Sequence, residues 1–200
     1  MKSLDKLLIV FLLVFTSSCT TQTEEYPVLN IDDGGLLSKN PCTPPCFWNI
    51  TPGITTEESA INILETMGDV SKCYHWDKVK NGTEKGIGCK NINIYFDDNA
   101  IVSTITFTLS QEITVSEIIQ NYGEPEAVIA LPQDMDVESP YNMTLLFLSK
   151  NMIIGLPEQD TNYFDLEQTT LIHGASYYFK NVYEENDIFN QPWKGYGKYY

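Results

Sequence analysis

The sequence predicts an α+β protein made of two helix-plus-antiparallel-sheet units in tandem, spanning 41–110 and 111–200. Two observations carry that expectation. Thr55-Thr56-Glu57-Glu58 and Thr114-Val115-Ser116-Glu117 both have the form of a capping box. In such a box the Thr side chain accepts an amide of the first helical turn and the Glu reaches back to the N–H of the cap. Behind each box an apolar stripe at helical spacing runs to a glycine and gives way to segments that alternate with period two. A repeated order of this kind marks an internal repeat.

The chain opens with Lys2 and Lys6, continues with the apolar run Leu7–Phe15 and reaches Ser17-Ser18-Cys19. Basic, then apolar, then small is the order of an export signal. Nine apolar residues are about half of the roughly 20 needed to cross a bilayer, so residues 1–18 read as a removable signal peptide. A cysteine directly behind small residues resembles a bacterial lipobox, with Thr16 where that motif carries Leu. The resemblance implies acylation of Cys19 and a lipid anchor in the cell membrane or outer membrane, on its extracytoplasmic side. Residues 19–40 include Thr20-Thr21, Glu24-Glu25 and Asp32-Asp33-Gly34-Gly35 and read as a flexible tether. Stretched out, it reaches at most about 70 Å.

The chain changes character between Asn40 and Pro52, with prolines, Cys42, Cys46, Phe47 and Trp48, and the first unit is placed there. Ala60, Ile61, Leu64 and Met67 form the apolar face of the first helix, which Gly68 should end. Lys85–Phe96 and Ile101–Leu109 follow as strand-like sequence, with Ile92, Ile94 and Phe96 opposite Ile101, Ser103, Ile105, Phe107 and Leu109 and Asp97-Asp98-Asn99 as the turn. In the second unit Val115, Ile118, Ile119 and Tyr122 make the helix face, and Gly123-Glu124-Pro125 stops it. Strands are expected over Ala127–Leu131, Tyr141–Leu148 and Met152–Leu156, with Ser149-Lys150-Asn151 as a turn, and part of Thr169–Phe179 could form another. The tail from Tyr177 is dense in aromatics, among them Trp193, Tyr196, Tyr199 and Tyr200.

Charge narrows the function classes. Removing residues 1–18 takes two Lys and one Asp from totals of 12 and 27, which leaves a net charge of −16 and no Arg. Nucleic-acid binding needs a clustered basic face, so that class is set aside. The same acidity opposes adsorption to an anionic bilayer and leaves the acyl chains as the anchor. Past Cys19 the chain has Cys42, Cys46, Cys73 and Cys89. An even number outside the cytoplasm favours disulfides, with three possible pairings. Thr-Pro-Pro between Cys42 and Cys46 suits a small closed loop, and the hairpin dipeptide Asn81-Gly82 between Cys73 and Cys89 sets those two face to face. The pairing 42–46 with 73–89 is favoured.

Phe47-Trp48-Asn49-Ile50-Thr51-Pro52-Gly53-Ile54-Thr55-Thr56 resembles a signature of bacterial lipoproteins that carry an aromatic and Gly-Ile-x-Pro-Gly-x-Thr-Thr before a helix, with Asn49 where they usually have Gly. The Ile-x-Pro-Gly-Ile-Thr piece also resembles the start of the small SmpA/OmlA-type lipoprotein of the outer-membrane β-barrel assembly machinery. That family has a helix, a Gly-x-Pro turn and three antiparallel strands, and a tandem version is similar to the β-lactamase inhibitor protein fold. The first copy here lacks the proline after Gly68, and the second lacks Pro-Gly before Thr114. What the resemblance implies is a fold and a binding mode of action, with no functional residue carried over.

The remaining constellations read as structural. His75 beside Cys73 lacks the four ligands of a zinc site. His173 sits in strand-like sequence and reads as structural. Asp134-Met135-Asp136-Val137-Glu138 lacks the Gly and Glu of a calcium loop. No nucleophile turn accompanies the two histidines, and the three Asn-x-Thr sequences read as chance matches. No metal and no cofactor is expected. The expected function is a non-catalytic protein-binding module that meets an envelope or exported protein across a sheet face, with Trp193, Tyr196 and Tyr199 as candidate contact residues. The alternative is a carbohydrate-binding or hydrolytic envelope protein. If Cys19 is the anchor, Cys19→Ala should move the protein from the membrane fraction to the soluble one, which fractionation and immunoblotting will measure.

Overall fold

The computed structural model describes residues 26–77, 85–132, 141–179 and 190–200. Cys19 with the expected signal segment, the Asn81-Gly82 dipeptide, the acidic residues 134–138 and the aromatics Tyr183 and Phe189 lie outside the described residues. Helix α1 (Glu57–Glu65) precedes β1 (Tyr74–Trp76), β2 (Lys85–Cys89), β3 (Ile92–Phe96) and β4 (Val102–Thr108). Helix α2 (Val115–Tyr122) precedes β5 (Ala127–Pro132), β6 (Tyr141–Phe147), β7 (Met152–Gly155), β8 (Phe164–Leu166) and β9 (Gly174–Tyr178). The chain closes with β10 (Asn190–Pro192) and β11 (Gly197–Tyr199). Nine strands make one sheet in the order β1-β2-β3-β4-β9-β7-β6-β5-β10, while β8 and β11 pair separately. The protein is α+β with an antiparallel sheet, and both halves share that sheet.

Alternation sets the core. Ile87, Ile94, Ile105 and Phe107 from the first half join Val128, Leu145, Ile154 and Tyr177 from the second in one buried cluster. Ala60 and Leu64 of α1 and Val115 and Ile118 of α2 belong to the same cluster, so both helices cover the same face. Among the described residues no helix is long and apolar enough to cross a membrane.

The capping box at Thr114 forms as expected. Its hydroxyl accepts the Glu117 N–H at 3.3 Å, and the Glu117 carboxylate accepts the Thr114 N–H at 2.8 Å. The first helix differs by one residue: Thr56 is its cap, with its side chain accepting the Ser59 N–H, and Thr55 is not. Thr55 is held elsewhere, its hydroxyl accepting the Thr51 N–H at 2.8 Å and its carbonyl the Val102 N–H at 2.9 Å. The helix also stops earlier than Gly68, because Thr66 turns its N–H and hydroxyl back on the last turn.

Each cap is tied to a residue ahead of a central strand, one position before β4 and three before β9. Thr56 bridges Ile101, and Thr114 bridges Leu171. The flanking bonds match as well: Glu57 N–H to the Ala100 carbonyl and Val115 N–H to the Thr170 carbonyl are both 2.8 Å. Central strands β4 and β9 then pair with Thr104 opposite Tyr178, Thr106 opposite Ser176 and Thr108 opposite Gly174.

The expected disulfides are both present, Cys42–Cys46 and Cys73–Cys89. The second closes a loop of sequence separation 16, a size that restricts the unfolded chain by about 3 kcal/mol.

The expected tether is not a tether over its described part. Leu29, Ile31 and Leu36 are all buried within the core. Asn91, in the β2–β3 turn, accepts the Leu29 N–H at 2.9 Å and donates to the Leu29 carbonyl at 2.8 Å, holding the segment like an added strand. Polar composition had pointed to disorder, but the acid among these residues satisfies the backbone. Buried Asp33 accepts the N–H groups of Gly35, Leu37 and Ser38 at 2.9, 2.9 and 2.6 Å and the Ser38 hydroxyl at 2.9 Å. The turn sits on Phe47: a Cβ at Gly34, whose φ is +61°, would lie 2.6 Å from that ring. Phe47 packs on Phe107 at 4.6 Å and Phe107 on Tyr177 at 5.5 Å, and the Tyr122 hydroxyl donates to the Leu36 carbonyl.

Burial opposes ionisation of Asp33, yet the bonds from Ser38, Gly35 and Leu37 outweigh it and hold the carboxyl below its ordinary 3.8. A folded value below the unfolded one stabilises fully above the unfolded pKa and loses that contribution as pH falls through the folded one. Wild type should therefore lose stability below about pH 4 more steeply than Asp33→Asn, as measured by urea midpoints against pH; parallel acid limbs would exclude the Asp33 turn as a source.

Candidate functional site

The helices leave the other face of the sheet largely uncovered, with Leu146 and Tyr178 as buried positions within it. Opposed residues on an antiparallel ladder share a face, so the register defines its surface. One row runs across all nine strands through Tyr74, Gly88, Asn93, Thr106, Ser176, Ile153, Leu146, Ala127 and Pro192. At a spacing of about 4.8 Å per strand it is on the order of 38 Å long. A parallel row joins Trp76, Gly86, Tyr95, Thr104 and Tyr178, and another joins Thr108, Gly174, Gly155, Thr144 and Ile129. No residue in these three rows is charged, in a chain that has 12 Lys and 27 Asp and Glu.

The middle of this face is hydroxylic. Thr106 and Ser176 stand opposite each other where the two halves meet, their hydroxyl oxygens 2.9 Å apart. Around them lies a groove of about 620 Å³ lined by Thr104, Thr108, Thr144, Ile153, His173 and Tyr178, with Gly155 and Gly174 paired in it. That volume is in the range of pockets that accept a ligand or an anchor side chain. None of the lining residues is Asp or Glu, so the paired carboxylates of a glycosidase are not found in this groove. His173, expected as a structural strand residue, is exposed and lines the groove.

The β1 end of the face is aromatic. Tyr74 stacks beside Trp76 at 5.9 Å, Trp76 meets Tyr95 edge-on at 5.4 Å, and Tyr26 lies 6.2 Å from Tyr74. Tyr74 is 54% exposed. These rings are less conspicuous in the sequence than the aromatic tail, although Tyr95, Thr104, Thr106 and Thr108 all occupy the polar phase of the period-two pattern.

The tail residues do not form one surface. Tyr199 is 2% exposed and belongs to the core. Its hydroxyl accepts the Lys194 N–H at 3.1 Å and donates to the Gly195 carbonyl at 2.7 Å, and burial raises its pKa. Trp193 stacks on Tyr199 at 6.4 Å and packs against the core. Only Tyr196 of the three is exposed. The expectation of Tyr199 as a contact residue is corrected, because β11 turns its ring inward beside Phe164 of β8. Cys73 is bonded to Cys89 and so cannot serve His75 as a thiolate partner; among the described residues no three His, Cys, Asp or Glu side chains gather as metal ligands.

No protein-family model, curated protein or solved structure matches this chain. Tyr199→Ala should destabilise the fold by about 3–5 kcal/mol, whereas Tyr196→Ala should stay within about 0.5 kcal/mol. Chemical denaturation of the two variants reads the difference directly, and equal midpoints would return Tyr199 to the surface.

Proposed function

We propose that this chain is a lipid-anchored extracytoplasmic lipoprotein that works as a non-catalytic binding module, docking an envelope or exported protein on the open face of its sheet. The observation that carries the reading is the uncharged face of Tyr, Trp, Thr and Ser in a protein of net charge −15. The buried centres of protein interfaces are depleted in charge and enriched in Tyr and Trp. The carbohydrate or hydrolytic alternative drew on tail aromatics, and Tyr199 and Trp193 pack inward.

We further propose that the two halves are tandem copies of one SmpA/OmlA-like unit, arranged as in a β-lactamase inhibitor protein. Each helix is followed by a four-strand meander, β1-β2-β3-β4 and β5-β6-β7-β9. Matching the caps equates Thr56, one residue after the Thr55 expected, with Thr114, and Ile101 with Leu171. A shift of 70 residues then carries β4 onto β9, and under it the pairs Thr104–Tyr178 and Thr108–Gly174 exchange while Thr106–Ser176 maps onto itself. That register is what a two-fold axis through Thr106 and Ser176 requires. Two independent features, the cap bridges and the seam, support the same offset.

The test uses Thr106→Arg, which puts a charge in the middle of the face, with Glu58→Lys on exposed α1 surface as the control. A native-envelope protein captured by wild type and by Glu58→Lys should bind Thr106→Arg at least about 30-fold more weakly, the size of a hot-spot loss. Melting curves check that the variant is folded. Undiminished capture by folded Thr106→Arg would move the contact off this face.

A further inference from the structure

We infer that Tyr74, Trp76 and Tyr95 form a platform for an arginine side chain presented by the partner protein. The inference rests on the open face being the contact surface and specifies what the partner brings to it. The indole of Trp76 is pinned: a Cβ at Gly86 would lie 2.2 Å from its ring, and one at Gly88 would lie 3.0 Å from it. Any larger residue at Gly86 would lift the indole off the sheet. It therefore lies across two backbone positions before any partner arrives, and little side-chain freedom remains to be lost on binding.

Its neighbours complete the platform. Tyr74 is inclined to it by only 21°, and Tyr95 meets it at 65°. Aromatic faces carry negative quadrupole density, so a cation above such a group is attracted, Trp giving the strongest pull. A guanidinium is planar, stacks on aromatic faces and is more weakly hydrated than an ammonium. The register places three acids at this end of the sheet: Asp77 directly follows Trp76, and Asp97 and Asp98 follow Phe96, the residue after Tyr95. Lys85, opposite Phe96 at the same end, is ion-paired with Glu57. Beyond them the whole chain carries 27 acids against 12 Lys and no Arg. Its field steers cationic surfaces inward, and it holds no guanidinium of its own to occupy the rings. The described residues already show this chemistry, with Lys198 Nζ 4.0 Å from the Tyr163 ring centre.

The experiment follows the tryptophan indole N–H signals of the ¹⁵N-labelled full-length protein, with that of Trp76 identified by its loss in Trp76→Phe. Acetyl-Gly-Arg-Gly-amide should shift the Trp76 signal saturably. The isosteric citrulline peptide should bind about fivefold more weakly, the worth of an exposed cation–π contact. Asp77→Asn should weaken the arginine peptide at low salt and leave the citrulline peptide unchanged. Equal affinity for the two peptides, no shift of Trp76, or a saturable shift from the neutral trisaccharide chitotriose alone would overturn the inference, the last assigning the rings to sugar. If Thr106→Arg abolishes partner capture while the peptide leaves Trp76 unmoved, the binding face stands and the arginine platform falls.

Discussion

The pairing of β4 with β9 is the constraint on which the rest of the structure depends. Five residue pairs join the two halves of a nine-stranded sheet, with Thr106 opposite Ser176 at their middle. Side chains on a strand alternate faces, so a slip of one residue would carry Phe107 or Tyr177 to the open side and bring hydroxyls into the core. The aromatic contact between Phe107 and Tyr177, extended by Phe47 beneath the Asp33 turn, holds that register from below. Burial, with Tyr122 and Asp33 nearby, pushes the Tyr177 phenol well above its ordinary pKa, so this junction stays neutral across the working range. A neutral junction lets helices, N-terminal segment and both meanders share one core.

Much of this was legible in residue patterns. Period two in β3 and β4 is local, and so is the capping box at Thr114; each depends on neighbours within a few positions, and the α+β class with its antiparallel strands followed from them. The Cys73–Cys89 bridge was legible for the same reason, as a cross-link around a hairpin. The cap at Thr56 was misassigned by one residue because two threonines stand together, and a bond from Thr51, outside the helix, decides between them. The segment from Leu29 to Leu36 was unreadable in a deeper sense. Its order comes from Asn91, 62 positions from Leu29, and from an aspartate that satisfies its own turn. Tyr199 failed similarly: an aromatic near a chain end has no local sign of which way its ring will face.

Charge is distributed by position as well as by amount. Among the described residues most acids lie in turns, loops and helices, with Asp165 in β8, while the strand rows facing away from the helices contain none. Some acids are bound into the backbone: burial opposes ionisation of Glu126, yet bonds from Ser149 and Leu148 hold its carboxyl below the ordinary range. Glu117 is likewise lowered, by the Thr114 N–H and hydroxyl. These carboxylates serve local structure, and the uncharged sheet surface is left for shape and aromatic chemistry.

The two outermost strands of the sheet bear on how the molecule behaves in a crowd. An exposed strand offers unpaired amides and carbonyls on which another chain can polymerise. Among the described residues both borders are three residues long, and β10 ends in Pro192, which has no amide to donate. At the opposite border, β1 begins directly after Cys73, whose bond to Cys89 secures it to β2 and limits fraying. A nine-stranded sheet built this way resists lateral stacking into fibrils, so many copies can stand side by side at high local density and remain separate molecules.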